Sequence, residues 1–383
     1  MCNLPLIDKR RLDILNVMVE KKSGYLRALP KIADDLYPGS TGWRRIKKNA
    51  RFCLWGITNA NAVKSMMTLF DNETLSPVLK SDPRILEKPL KPYLCVNWSR
   101  AERVTHIQDH FNFCQHIFGS NLSKIYENVG LTILSFDDSK GDSYQVKLCA
   151  GGSREGSLGL QLIDAQNRTI YSLSCHVSTQ PKTIFYIGSV QGPSDDIEDR
   201  NDVIKLLTRS VHGLRTKALM LEIALMLAKS LDVDEVHGIS NKAHIYQALR
   251  YVGSKRKSVT FDYNDLWEEY GAEVLNKYFY KIPLHPLRKD PTTLKKTKRR
   301  LYVKRYQWLE DSEQTVMKSL CALSTNLDFI ARLTSMIKTE EPHIEDAQGN
   351  TKCDTAKVTT LISVSVKPDM IKKDITKMST NVA

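Results

Sequence analysis

Several things are missing from this sequence. Its 8 cysteines, Cys2, Cys53, Cys95, Cys114, Cys149, Cys175, Cys321 and Cys353, form no C-x-x-C pair. That spacing argues against a zinc ribbon or a dithiol redox motif and reads as reduced thiols of a cytosolic protein. No apolar run approaches the roughly 18 residues of a membrane-spanning helix, so no transmembrane segment is expected. The opening stretch "MCNLPLIDKRRLDIL" lacks the apolar run of about 7–15 residues that a secretory leader needs, and a cytoplasmic address is expected. No internal repeat is visible. Acid is in short supply: 43 Asp and Glu stand against 56 Lys and Arg, a net charge of +13.

What is present is an ordinary globular composition, with 42% hydrophobic and 26% charged residues over 383 positions. A chain of this length buries a large core and carries two or three domains. The excess charge is concentrated. Residues 281–305, "KIPLHPLRKDPTTLKKTKRRLYVKR", hold ten Lys or Arg against one Asp. Such a stripe points to an anionic partner, whether nucleic acid, a phosphorylated ligand or an anionic membrane surface, against the plain alternative of a solvated helix face.

Periodicity divides the chain. Residues 1–90 read as amphipathic helices, with "TGWRRIKKNARFCLWGI" strongly basic, and prolines at 77, 83, 89 and 92 make a connector. "PYLCVNW" (92–98) reads as a strand and 99–119 as a helix capped by Ser99. Four strands then follow, separated by Asp-, Gly- and Asn-rich turns, with "KTIFYIGSV" (182–190) as a fifth. Residues 202–230 read as helix, interrupted near His212-Gly213 and apolar nearly all round after Thr216, hence buried. "EVHGIS" (235–240) reads as a strand, 241–251 as a helix capped by Asn241, and 258–263 and 277–284 as strands. The strands at 182–190 and 235–240 should lie adjacent and parallel, joined by the buried helix. The fold class is α+β: a mixed, mostly antiparallel sheet with helices and a helical N-terminal region. This element order resembles the GCN5-related N-acetyltransferase fold. The expected division is 1–90 helical, 91–285 an acetyltransferase-like core, 286–337 a basic helical segment and 338–383 a disordered tail.

Separate blocks of the sequence, "KPYLCVNWSRAERVTHIQDHF", "SREGSLGLQL", "FYIGSVQGP", "LTRSVHGLRTKAL", "GISNKAHIY" and "DYNDLWEEYGA", resemble the bacterial VirK/YbjX family in the same order, over residues 91–306. Thr216 departs from that pattern, which has proline there, and Ser189-Val190 replaces a Cys-Leu pair. The resemblance implies a bacterial cytosolic protein linked to virulence, surface-protein display and survival of cationic antimicrobial peptides. It brings no catalytic residues.

The residues that could carry chemistry fall in a few places. Arg209, His212, Gly213, Arg215 and Lys217 cluster before the buried helix, where N–H groups and the helix dipole favour an anion. An acyl-CoA or another phosphate-bearing donor is the cofactor class this place suits, although the second glycine of the usual phosphate loop is absent. A helix break with a solvated basic turn is the plain alternative. Tyr246 and Tyr251 are equal choices for an acid that protonates a leaving group, and either could instead be a packed aromatic. Glu155, Glu222 and His176 are possible bases. A carboxylate in a stripe as apolar as that around Glu222 should be paired, protonated or functional, and Arg209 or Arg215 could partner it in a structural salt bridge. His106, His110 and Cys114 share a helix face, but the outer two lie about 12 Å apart along the axis, so no metal site is expected. Two functional readings stand: an acyl- or related group transferase of envelope modification, and a non-catalytic protein that contacts nucleic acid, lipid or a partner protein through 281–305.

Overall fold

The computed structural model describes residues 22–127, 130–194, 197–248 and 262–338. Its centre is one eight-stranded mixed sheet, so the fold is α+β. The strands are β1 (Leu131–Asp137), β2 (Ser143–Ala150), β3 (Leu158–Ile163), β4 (Thr169–Ser178), β5 (Ile184–Gln191), β6 (Glu235–Ile239), β7 (Glu273–Val274) and β8 (Phe279–Ile282), in the order β1-β2-β3-β4-β5-β6-β8-β7. Every neighbouring pair is antiparallel except β5 and β6, which run parallel from Ile184↔Glu235 to Ile187↔Gly238. The expected adjacency of those two strands is therefore met.

The meander is shaped by its turns. Asp138 accepts from the N–H groups of Lys140 and Asp142 between β1 and β2, and Asp164 accepts from those of Gln166 and Arg168 between β3 and β4. These are Asx-type turns, in which a short carboxylate replaces a backbone acceptor.

Helices precede and cover the sheet. In the N-terminal region α1 (Lys22–Leu36), α2 (Gly42–Thr58), α3 (Ala60–Leu69) and α4 (Ser76–Ser81) lead into a 3-10 stretch, Pro83–Leu90. Helix α5 (Arg100–Phe118) begins at Ser99, which forms a full capping box with Glu102. A short helix, α6 (Leu122–Tyr126), precedes β1, and α7 (Arg200–Ser210) and α8 (Thr216–Ser230) separate β5 from β6. The strand β4 is buried on both faces and is packed by α5 and α8. Since α5 contacts the side chains of His176 and Ser178, α8 takes the opposite face. Nearly all of α8 is buried, as its uniformly apolar circumference demands. A short helix α9 (Tyr263–Glu269) precedes β7, and α10 (Lys296–Leu323) and α11 (Leu327–Met336) close the described chain. The buried apolar side chains form one cluster running from Tyr25 to Leu333. Among the described residues, no helix is long and apolar enough to cross a membrane.

Three expectations need correction or fall outside this description. Residues 92–98 are not a strand. Cys95 N–H donates to Tyr93 O at 2.7 Å, and Leu94 sits at φ +53°, which makes a γ-turn. Leu94 N–H is committed to Arg154 O, so this backbone serves a loop rather than a ladder. The helix expected at 241–251 is, over the described residues 241–248, only one 3-10 turn, Ile245–Gln247. Asn241 does not cap it. Its side chain accepts from Tyr263 N–H and donates to Asp262, fastening the start of α9 instead. Of the strand expected at 258–263, residues 258–261 lie outside the described residues, as do Tyr251 and the tail from 339 onward; Asp262 caps α9 and Tyr263 opens it.

Candidate functional site

The β2–β3 connection, "GGSREGS" (151–157), is the centre of the site. Its glycines let the chain lie on the sheet. A Cβ on Gly188 would come within 1.8 Å of Glu155 O, and one on Gly156 within 2.4 Å of Cys175 O. Gly188 is the extra residue of a bulge in β5, since β4 pairs Ser174 with Ser189 and Cys175 with Ile187. The bulge thus receives the loop and holds Glu155 over the strands.

Below the loop, side chains of three strands line up in register. Gln161, Ser172 and Gln191 form one row across β3, β4 and β5, and Gly159, Ser174 and Ser189 form the next. Ser174 Oγ accepts from Gly152 N–H at 2.9 Å. Gly159, Gln161, Ser172, Ser174 and Gln191 line, with Glu155 and Tyr246, a cleft of about 350 Å³. Tyr246 comes from the turn after β6, so the cleft joins two of the expected acid–base residues from distant stretches. Burial, and then the charge of Glu155, raise the Tyr246 phenol above its ordinary value. The phenol is therefore protonated at neutral pH and available as a proton donor.

A buried polar chain adjoins the cleft through the same loop. His176 Nε2 lies 2.9 Å from His106 O, so it carries the proton and donates. Burial first, then the charges of His110 and His106, push His176 well below the usual histidine range, so the ring is neutral and Nδ1 accepts. Its donor is Tyr93 OH at 2.9 Å. Tyr93 in turn accepts from Ser157 Oγ at 2.6 Å, and Lys88 Nζ donates to Ser157 Oγ at 3.4 Å and to Gly156 O at 3.0 Å. Donor directions are thus set from Lys88 through Ser157 and Tyr93 to His176. Lys88 is buried and, among the described residues, has no carboxylate in hydrogen-bonding reach; burial lowers it to about 8. The His110 ring stacks on His176 at 4.5 Å and accepts from Val177 N–H, while Trp98 stacks on His106 at 3.9 Å. Among the described residues, no group of three or more His, Cys, Asp or Glu is placed to hold a metal ion.

His176 was legible as a possible base, but Lys88, Tyr93 and Ser157 were not. The available signal was the alternation Ser172, Ser174, His176, Ser178 along β4. A polar stripe on a strand ordinarily faces water; here it faces α5 and the loop.

The residues at 209–217 are used differently. The N–H groups of His212, Gly213 and Leu214 donate to Arg209, Thr208 and Val211 carbonyls, closing the end of α7. Both His212 and Gly213 have positive φ. Arg305 of α10 donates twice to His212 O. Arg215 pairs with Glu269 at 2.5 Å, Lys217 lies 3.7 Å from the same carboxylate, and Arg209 is exposed on α7. A phosphate here would find those three backbone donors committed and would compete with Glu269 for Arg215. None of residues 209–217 lines the Glu155 cleft. Beyond the β5–β6 ladder, the side of β6 is filled by Trp267, whose Nε1–H donates to Ile239 O and whose ring lies against Gly238.

Glu222 is buried and its partner is neither Arg209 nor Arg215. Arg288 binds it through two hydrogen bonds of 2.5 and 2.7 Å, and Tyr270 OH adds a third at 3.1 Å. In the basic segment, Lys281 pairs with Glu235 and Arg299 donates to Pro291 and Thr292 carbonyls. Lys289, Lys295, Lys296, Lys298, Arg300 and Lys304 are exposed.

Residues 41–318 match a family described as a protein of unknown function, DUF535. An uncharacterized protein YbjX of Escherichia coli (strain K12) is 26% identical over 273 residues, covering 70% of this chain and 82% of that protein. An uncharacterized protein of Haemophilus influenzae is 27% identical over 220 residues, covering 56% of this chain and 69% of that protein. No solved structure matches.

Proposed function

The chain belongs to the DUF535 family, and from that premise and the Glu155 cleft we propose that it is a group-transfer enzyme acting on a small polar substrate. The observation that carries this reading is that Glu155 and Tyr246 line one cleft floored by serine and glutamine side chains. In the proposed mechanism Glu155 takes the proton of an attacking hydroxyl or amine, and Tyr246, held protonated, gives one to the leaving group. Ser172, Ser174, Gln161 and Gln191 offer donors and acceptors that would orient a polar substrate. Element order supports an acetyltransferase-like arrangement by analogy of fold alone. The virulence and peptide-resistance associations of the resembled family would place such a transfer in envelope modification.

The test uses acetyl-CoA, acetyl phosphate and small amine and sugar acceptors, followed by acyl transfer measured by mass. Glu155→Gln and Tyr246→Phe should each lower turnover by about 10²–10⁴-fold with the melting temperature little changed. Turnover that survives both substitutions would remove the proposal. A second reading, binding of a polyanion through the exposed lysines and arginines of 281–305, is favoured instead if no donor is consumed and a nucleic-acid probe binds with steep salt dependence.

A further inference from the structure

The helix α2 carries one face that the fold does not use. Its inner side is fixed: Phe52 and Gly56 are buried, Tyr25 OH donates to Gly56 O, and Arg45 pairs with Asp34 of α1. On the opposite side Trp43 is 75% exposed, Ile46 58%, Leu54 60% and Ile57 57%. The spacing of 43, 46, 54 and 57, with Ala50 between, places them along one helix face. Large apolar side chains left this open in a row mark an interaction surface rather than scattered exposure. The charge beside them is of one sign. The helix "GWRRIKKNARFCLWGIT" holds Arg44, Arg45, Lys47, Lys48 and Arg51 and no Asp or Glu.

We propose that α2 lies in the plane of an anionic lipid surface, with Trp43, Ile46, Leu54 and Ile57 in the headgroup–acyl boundary and Arg44 and Lys47 on lipid phosphates, while Arg51 stays with Glu87 at 3.7 Å. Charge selects this occupant. A second copy docking by symmetry would set Arg44 and Lys47, which flank the stripe, against the same two cations. The chain's own residues 1–21 hold four Lys or Arg and three Asp or Glu, a poor complement to a cationic helix. An anionic bilayer offers negative charge beside apolar depth, which is what a basic helix with an apolar stripe and a terminal tryptophan fits. This surface is separate from the basic segment at 281–305 and does not depend on the chemistry proposed for the Glu155 cleft.

The experiment is flotation of the full chain with vesicles of phosphatidylcholine alone and with about a quarter phosphatidylglycerol, alongside Trp emission. Binding should require phosphatidylglycerol, fall with salt and shift the emission to the blue, with the shift reduced in Trp43→Phe. The double variant I46E/L54E should abolish flotation, and R44Q/K47Q should weaken it about 30-fold, both with an unchanged melting temperature because the side chains are exposed. Absence of flotation on anionic vesicles overturns the proposal. So does flotation that both variants retain but K296E/R300E loses, which would move the contact to α10. A dimer in sedimentation that I46E/L54E dissolves, without vesicle binding, would show a second copy to be the occupant. Shielding of Trp43 from acrylamide in lipid-free monomer would show that the chain covers its own stripe.

Discussion

Glu222 shows how one residue can be legible in type and illegible in partner. A carboxylate within "TKALMLEIALMLAKS" has to be compensated, because an ionised group in a dry helix packing face is costly alone. Compensation comes from Arg288 and Tyr270, far along the chain, in a two-point arginine–carboxylate fork. Removing the arginine leaves the carboxylate with a single phenol donor. Arg288→Ala should therefore destabilise the protein by about 2–4 kcal/mol in urea unfolding, the lower part of the range for a buried pair because Arg288 is partly exposed. The double variant E222L/R288M should recover most of that loss. Arg215→Ala, which breaks only an exposed pair, should cost no more than about 1 kcal/mol. If Arg288→Ala costs no more than Arg215→Ala, the fork is not what holds Glu222.

Among the elements, the β5 bulge and the glycine loop form one device. The loop 151–157 rests on Gly188, and Leu94 reaches a left-handed φ to donate to Arg154 O. Strained backbone of this kind persists where surrounding contacts over-determine it. A methyl group at 188 has no space beneath the Glu155 carbonyl. Gly188→Ala should lift the loop and cost about 1–3 kcal/mol, with faster hydrogen exchange at Leu94 N–H. An alanine variant of wild-type stability and unchanged Leu94 protection would show that the loop does not depend on the bulge. The expected strand at 92–98, and over the described residues 241–248 the expected helix, both fail beside this device. In each, the local pattern is outweighed by backbone groups taken up in tertiary bonds: Leu94 to Arg154, and Val96 to Ala243.

Acid should unfold the molecule through its histidines. Burial lowers His110 to about 3 and His244 to about 4, and it lowers His106, His176 and His237 as well. An unfolded histidine titrates near 6.5. Between that value and the lowered folded one, the unfolded chain binds more protons, so stability falls as pH falls. Each such group contributes a slope of up to about 1.4 kcal/mol per pH unit below about pH 6.5. The urea midpoint should be steady above pH 7 and drop between pH 6.5 and 5. Glu235, lowered to about 2 chiefly by its hydrogen bond with Lys182, adds its own loss as pH falls from the ordinary carboxylate value of about 4.5 toward 2. His110→Gln should flatten the slope in the upper window. A midpoint independent of pH there would contradict neutral burial of these rings.

Local chemistry alone determined much of this protein. The five meander strands, the Asp-based turns, the Ser99 cap, the break at His212-Gly213 and the buried helix after it all follow from periods of two and 3.6 and from short-range side-chain bonds. So did Glu155 and Tyr246 as residues able to move protons, although nothing in either stretch says they meet. Tertiary structure decided the rest. It placed Glu155 and Tyr246 in one cleft, gave Glu222 to Arg288, and closed the turn at 212–214 on the end of α7. It also enclosed the polar stripe of β4, assembling Lys88, Ser157, Tyr93 and His176 from four segments. A polar side chain's partner depends on which segments the core brings together, and that is a property of packing across the whole chain rather than of any window within it.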